Sequence, residues 1–384
     1  MIYLDHNATT PVLPEVRAAM LPFLGEDWGN PSSSYRFGSK LKSVIESARE
    51  QVAELLGAAS PREILFTGSG TESNNTALHA AVLSQPGKRH LITSQVEHSS
   101  VLTCCRYLET HHGCRVTYLP VDRDGLLSLA DLQNALTADT ALVSLMWANN
   151  ETGVLFPVEE IAALCRSRGV LYHCDAVQAA GKLPINLRTL PCDYLSLTGH
   201  KIGATKGIGA LYVHRKAPFV PLLHGGHQER SRRGGTENVA ASAGLGTAAA
   251  IALKKLPSYD KTIRPLRDAL EQGILTAIPG SAVNGHATQR LANTTNIHFP
   301  GIESEALLLL LDQAGICASS GSACLADSPD PSHVVAAMKS GDAARQSVRF
   351  SLGAGLSSAD IAAAVAAIRQ AATALCSFGS LESP

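Results

Sequence analysis

From Thr140 onward, apolar and polar positions alternate in blocks that read as a series of elements. TALVSLMW is a continuous apolar run of strand length. PVEEIAALCRSRG then spaces its apolar residues as a helix does, with Pro157 near the start and Gly169 closing it. VLYHC (Val170 to Cys174), YLSL and GALYV continue the strand series. Upstream, SLADLQNAL carries a helix-start signal in Ser128 and Asp131, and the short strand EILF precedes a helix opened by FTGSGTESNN. Strands separated by helices at short spacing predict a parallel sheet covered by helices. The composition changes after about Ala250. A helical stretch, SYDKTIRPLRDALEQGILTAI, leads to short strands such as TTNIHF and to helices around Leu307 and Ile361. The fold class expected is α/β: a large domain, 15–258, with a mostly parallel sheet flanked by helices, and a smaller α+β domain from 1–14 and 259–384.

Bulk properties change this picture little. The chain has 384 residues, 45% hydrophobic and 17% charged, enough for a sizeable core. A formal net charge of -1 without blocks of like charge favours neither nucleic acid nor a membrane surface. The start, MIYLDHNATTPV, has no basic segment followed by an apolar core, and runs such as ALLLLL from Ala306 are too short to span a bilayer, so a cytoplasmic protein is expected. Nine cysteines without a CxxC pair read as mostly buried or inert thiols, not a disulfide framework. In CCRYLETHHGC, the spacing of Cys104, Cys105, His111, His112 and Cys114 fits no zinc pattern and reads as a solvated helix end.

The strand ending at Cys174 delivers Asp175 to the carboxyl edge of the sheet, where open α/β sheets bind ligands. Asp175 could also merely cap the next helix. Gln178 lies three residues on, and SLTGHK places Lys201 directly behind His200 at the mouth of another strand. An aspartate, an amide and a lysine are the parts that pyridoxal phosphate requires: a carboxylate on the pyridine nitrogen, an electron-sink ring and an amine for the Schiff base. Its phosphate needs donors. FTGSGTESNN offers the open helix start at Gly70 and the Thr71 hydroxyl, with Thr198 and His200 flanking the lysine. His98, in VEHSSV, is either a surface histidine or a ring that stacks on an aromatic cofactor and shuttles protons. Asn150, in ANNETG, falls on the same edge. Arg349, in the alternating SVRFSLG, is either an ion-pair residue or a clamp for a substrate carboxylate. Cys324 sits in ASSGSACLADSPDPSHVV, an exposed loop by composition, where a thiol placed for packing would be odd. An unshifted thiol is only about 3% thiolate at pH 7, so efficient attack needs a nearby base or positive charge.

Together, YLDHNATTPV, GNPSS, FTGSGTESNN, VEHSSV, ANNETG, HCDAVQAAGK, SLTGHK, GGHQERSRRGGTENV, SSGSAC and VRFSLG, in this order, resemble the NifS/IscS-type cysteine desulfurases. These belong to the class V aminotransferase group of fold-type I pyridoxal phosphate enzymes. The resemblance covers nearly the whole chain and implies pyridoxal 5'-phosphate as cofactor and L-cysteine as substrate. It implies Lys201 as the Schiff-base lysine, with Lys206 structural. Asp175 would meet the pyridine nitrogen, Gln178 the ring hydroxyl, and Gly70, Thr71, Thr198 and His200 the phosphate. His98 would stack on the ring, while Asn150 and Arg349 orient the substrate. Thr236 would reach the phosphate of a neighbouring subunit, which implies a homodimer. By the same resemblance, Lys201 would move a proton, the Cys324 thiolate would take the substrate sulfur as a persulfide, and L-alanine would leave. A sulfur acceptor or iron–sulfur scaffold protein would receive the sulfur, with no metal in the cofactor site and Cys324 meeting a cluster only during transfer. A selenocysteine lyase or another class V enzyme is the alternative. The chain departs from the family pattern at Tyr35, where a histidine is frequent, at Gly203 to Thr205, and at Ala354, where a basic residue is common.

Overall fold

The computed structural model describes residues 1–321, 331–339 and 341–379. The chain begins with β1 (Ile2–Tyr3), α1 (Pro14–Leu24), α2 (Arg36–Ser39) and α3 (Leu41–Leu55). An alternating series follows: β2 (Ile64–Thr67), α4 (Gly70–Leu83), β3 (His90–Ser94), α5 (Ser99–His112), β4 (Arg115–Leu119) and α6 (Leu129–Ala135). It continues through β5 (Thr140–Met146), α7 (Val158–Ser167), β6 (Leu171–Asp175), β7 (Tyr194–Thr198) and β8 (Gly209–Val213). A single turn, α8 (Gln228–Ser231), and the long α9 (Val239–Ala277) lead to β9 (Ala282–Asn284), β10 (Thr294–His298) and α10 (Ser304–Gln313). β11 (Ile316–Cys317), α11 (His333–Met338), β12 (Ser347–Ser351) and α12 (Ser358–Gly379) complete the order.

Seven strands form the central sheet in the order β2-β8-β7-β6-β5-β3-β4. The five strands from β7 to β4 in that order run parallel, and only β8 is reversed, antiparallel to both β7 and β2. The sequence pattern placed β8 in the parallel series. It is reversed because only residues 199–208 separate it from β7, too few for a crossover helix. Strands β3, β5, β6, β7 and β8 are buried along nearly their whole length, as expected for a sheet covered on both faces. The helices cover it with apolar stripes. In α3, for example, Leu41, Ile45, Ala48, Val52 and Leu55 recur every three or four residues and are buried.

Helix α9 starts well before the helical stretch read from the sequence. From Val239 to Gly246 every residue is buried, so its first two turns show no polar face to mark a helix. It contributes Leu245 and Ala248 to the large core under the seven-stranded sheet. Further along, Ile263, Leu270 and Ile274 enter a second core with Leu4, Ile297, Phe299, Val348, Phe350 and Ile368. That core lies on the antiparallel sheet β12-β10-β9, joined by the pair β1-β11. Strand β12 is buried on both faces, so the half-exposed alternation expected around Arg349 is absent. Both α9 and α12 are long and apolar enough to cross a bilayer, and half of the relevant window of α9 is buried within the protein.

Candidate active site

The carboxyl ends of β2, β3, β5, β6 and β7 meet at one edge of the sheet, and a cavity of about 950 Å³ opens there. Gly70, Thr71, His98, Asn150, Asp175, Gln178, Thr198, His200, Lys201 and Arg349 all line it. Residues scattered over the chain thus share one space. Thr236 does not line it, being exposed between α8 and α9, and Cys324 lies outside the described residues.

Asp175 ends β6, because the strand carries it one residue further than the VLYHC run. Its Oδ2 accepts from Asn74 Nδ2 at 2.7 Å and its Oδ1 from the Val177 amide at 2.9 Å, which fixes a buried carboxylate at the cavity floor. Asn74 Nδ2 also donates to Ser100 Oγ. Opposite, Ser69 caps α4 by accepting from the Glu72 amide. The amides of the first helical turn face the cavity as anion donors. A Cβ at Gly70 would lie 3.0 Å from Val177 Cγ2 and 3.4 Å from Thr198 Cβ, so only glycine lets the helix start sit this close to the floor. The Thr198 hydroxyl donates to Ile208 O across the β7–β8 connection.

His98 is the N-cap of α5, four residues beyond the end of β3. The Ser100 amide donates to its Nδ1 at 3.1 Å, so the proton of the neutral ring is on Nε2. Burial lowers its pKa, Lys201 and His333 push the same way, and Asp175 opposes them. His200 falls to about 4, chiefly through burial and then through Lys201 and Lys206. Lys201 ends a tight turn after β7 and donates to the carbonyls of Asn7 and, at 2.7 Å, Ala8. The N-terminal segment holds that turn: the Thr10 amide and hydroxyl both donate to His200 O at 2.9 Å.

Arg349 enters from β12. Nη1 donates to Asn150 O and Gly321 O, and Nη2 to Asp5 Oδ1 at 2.6 Å. Its Nε is buried with no hydrogen-bond partner among the described residues, a donor left for an incoming acceptor. Neighbouring Glu151 is buried, which raises its pKa, and accepts from Ser332 Oγ. Gly321, at φ +108°, lies so close that a Cβ there would collide with Glu151 Oε2. Thus Gly321 and Ser332, on either side of the segment that contains Cys324, both meet one carboxyl group. Cys104 and Cys165 are poor nucleophiles, because burial pushes both thiols up to about 12.

Several site residues carry no signal in the sequence. Asn7, Asn74, Lys182, Glu97 and Glu151 all fall inside the quoted motifs, yet nothing in their spacing marks them. His333 follows the proline-rich stretch, lines the cavity and donates Nε2 to Glu97 O at 2.9 Å.

A floor carboxylate, an amide, a lysine and a helix start opened by a glycine fit an aromatic aldehyde phosphate, and so define an α/β enzyme of the pyridoxal phosphate class. The aminotransferase class-V family model matches residues 2–363. A cysteine desulfurase 2 from Trichormus variabilis is 56% identical over 338 residues, 88% of this chain and 84% of that protein. The cysteine desulfurase NifS of Azotobacter vinelandii is 51% identical over 352 residues, 91% and 87% of the two chains. A solved NifS-like protein superposes with a TM-score of 0.90 at 36% identity, covering 96% of this chain and 98% of its own. The chain belongs to the class-V aminotransferase family, within its NifS-like cysteine desulfurases.

Proposed function

We propose that the protein releases sulfur from L-cysteine with pyridoxal phosphate and delivers it through a persulfide on Cys324 to an acceptor such as an iron–sulfur scaffold protein. The observation that carries this reading is the convergence of Lys201, Asp175, Gln178, His98 and Arg349 on one cavity. Asp175 would hold the pyridine nitrogen, Gln178 the ring hydroxyl, and His98 would lie on the ring. Gly70, Thr71, Thr198 and His200 would bind the phosphate, joined by Thr236 of a second copy in a homodimer. The cofactor supplies the electron sink that makes the carbon–sulfur bond breakable.

The chain's own groups do the rest. Arg349 offers Nε to the substrate carboxylate while Asp5 and two carbonyls keep its plane fixed, and Asn150 completes the clamp. Lys201, released from the Asn7 and Ala8 carbonyls, moves the proton at the substrate Cα. The Cys324 thiolate attacks the substrate sulfur, the carbon–sulfur bond breaks, and the remainder takes up protons and leaves as L-alanine. Residues 15–258 would supply the cofactor cradle, while 1–14 and 259–384 supply Asp5, Arg349 and Cys324. Cys324→Ala should keep the yellow cofactor and bind L-cysteine but release almost no alanine, whereas Lys201→Ala should lose the wild-type absorbance. Unchanged alanine release by Cys324→Ala would refute the persulfide route.

A further inference from the structure

Lys182 follows Gln178 by four residues and is only 9% exposed, yet none of the reaction steps uses it. Its ammonium donates to Gln178 Oε1 at 2.8 Å and to Asn7 Oδ1 at 3.3 Å. Both acceptors are neutral amide oxygens, and no ion pair among the described residues includes it. The charged groups that act on it are Lys201 from the turn after β7 and Arg349 from β12, and it acts in turn on His6 of the N-terminal segment. A buried cation beside two others, without a carboxylate of its own, is costly to keep. Burial first, then Lys201 and Arg349, push it down to about 7.

We propose that Lys182 is a positioning residue that fixes the polarity of the cofactor cradle and, through its charge, favours the neutral form of the nitrogen at Lys201. An ammonium only donates. While Lys182 is charged, the atom of Gln178 that faces it is therefore the oxygen. Gln178 Nε2 then turns to Asn7 O at 3.0 Å, and its second N–H is the one left for the cavity. The same logic fixes Asn7. Its Oδ1 takes Lys182 and Asn293 Nδ2, so its Nδ2 goes to Asn150 O and Thr294 Oγ1. Its main-chain oxygen takes both Gln178 Nε2 and Lys201 Nζ. A line of hydrogen bonds, Lys182 to Gln178 to Asn7 to Lys201, thus presents a donor wherever a cofactor oxygen would meet Gln178. Methionine in place of Lys182 would fill the space and leave either amide orientation possible.

This inference rests on the pyridoxal phosphate reading, and the test separates the two. Pyridoxal phosphate is titrated into apoenzyme of wild type, Lys182→Met, Lys182→Gln and Lys182→Arg, and the bound absorbance is followed against pH. Lys182→Met should bind about tenfold more weakly, the loss of one charged hydrogen bond that orients the cradle. Its absorbance midpoint should rise by about one pH unit, because a like charge beside Lys201 is gone. Lys182→Gln should also shift upward, while Lys182→Arg, which keeps donor and charge, should stay near wild type. If folded Lys182→Met and Lys182→Gln keep the wild-type affinity and midpoint and lose only thermal stability, Lys182 is a structural residue and the proposal is overturned. Should Lys182→Met fail to fold, the midpoint of Lys182→Gln against Lys182→Arg decides it. Wild type without a chromophore would instead refute the cofactor reading itself, and this inference with it.

Discussion

Glu229, Arg230 and Ser231 occupy the left-handed region in succession, at φ 48°, 59° and 62°. Each non-glycine residue there costs about 1–2 kcal/mol, so this turn opposes its own formation by about 3–6 kcal/mol. Its anchor is a buried pair. Arg49 meets both oxygens of Glu229 at 2.7 and 2.8 Å, each side chain 3% exposed, and the Phe66 amide donates to the same carboxylate. Breaking a buried pair costs about 3–5 kcal/mol, comparable to the strain it holds. Glu229→Gln should therefore let the turn unwind and release part of that strain, for a net loss of about 2 kcal/mol.

Ser231→Gly should act oppositely. Glycine relieves about 1–2 kcal/mol at this φ and costs about 0.5–1 in unfolded-chain entropy, a net gain of about 0.5–1 kcal/mol. The serine hydroxyl makes one exposed hydrogen bond, Oγ to His227 Nδ1 at 3.2 Å, and removing it matters little. The two changes should not add: once Glu229→Gln has unwound the turn, glycine at 231 has no strain to relieve. Urea unfolding of the four proteins of the double-mutant cycle, all as apoenzyme, measures this coupling. Strict additivity, or destabilisation by Ser231→Gly alone, would show that the turn is not held against its will.

The site supports two more expectations. Burial, reinforced by Asp175, lifts Glu97 from an ordinary 4.5 to about 8 against the bonds from Met146 and Ser94. Because the folded state holds this proton more tightly, its contribution to stability is full below about pH 4.5 and is lost as pH rises through about 8. The slope reaches about 1.4 kcal/mol per pH unit; Glu97→Gln should remove it, and parallel wild-type and variant stability curves between pH 5 and about 8 would contradict this. Asp5→Asn should raise KM for L-cysteine about tenfold with little change in kcat, since Arg349 would lose its anionic partner but keep two carbonyls. Steady-state kinetics with an unchanged KM would show that Asp5 does not orient the arginine.

Legibility in the sequence tracks the range of the forces involved. Strands β5, β6 and β7 were legible because a buried strand is written in consecutive apolar residues, and Asp175 and Lys201 because they stand where those runs stop. The direction of β8 depended instead on the space available between two strands, and the start of α9 on packing around its whole circumference. Asn7 shows the limit most clearly. Its partners Asn150, Gln178, Lys182, Lys201, Asn293, Thr294 and Ser351 lie from 143 to 344 residues away, and each bond is polar, short-ranged and invisible to any periodicity. A buried asparagine or lysine is tolerated where most of its donors and acceptors find partners, so such residues mark where distant segments must agree in position. The candidate nucleophile could be read early because the sequence around it has the composition of a loop. The residues that hold the cofactor cradle in shape could be recognised only once the chain had folded around them.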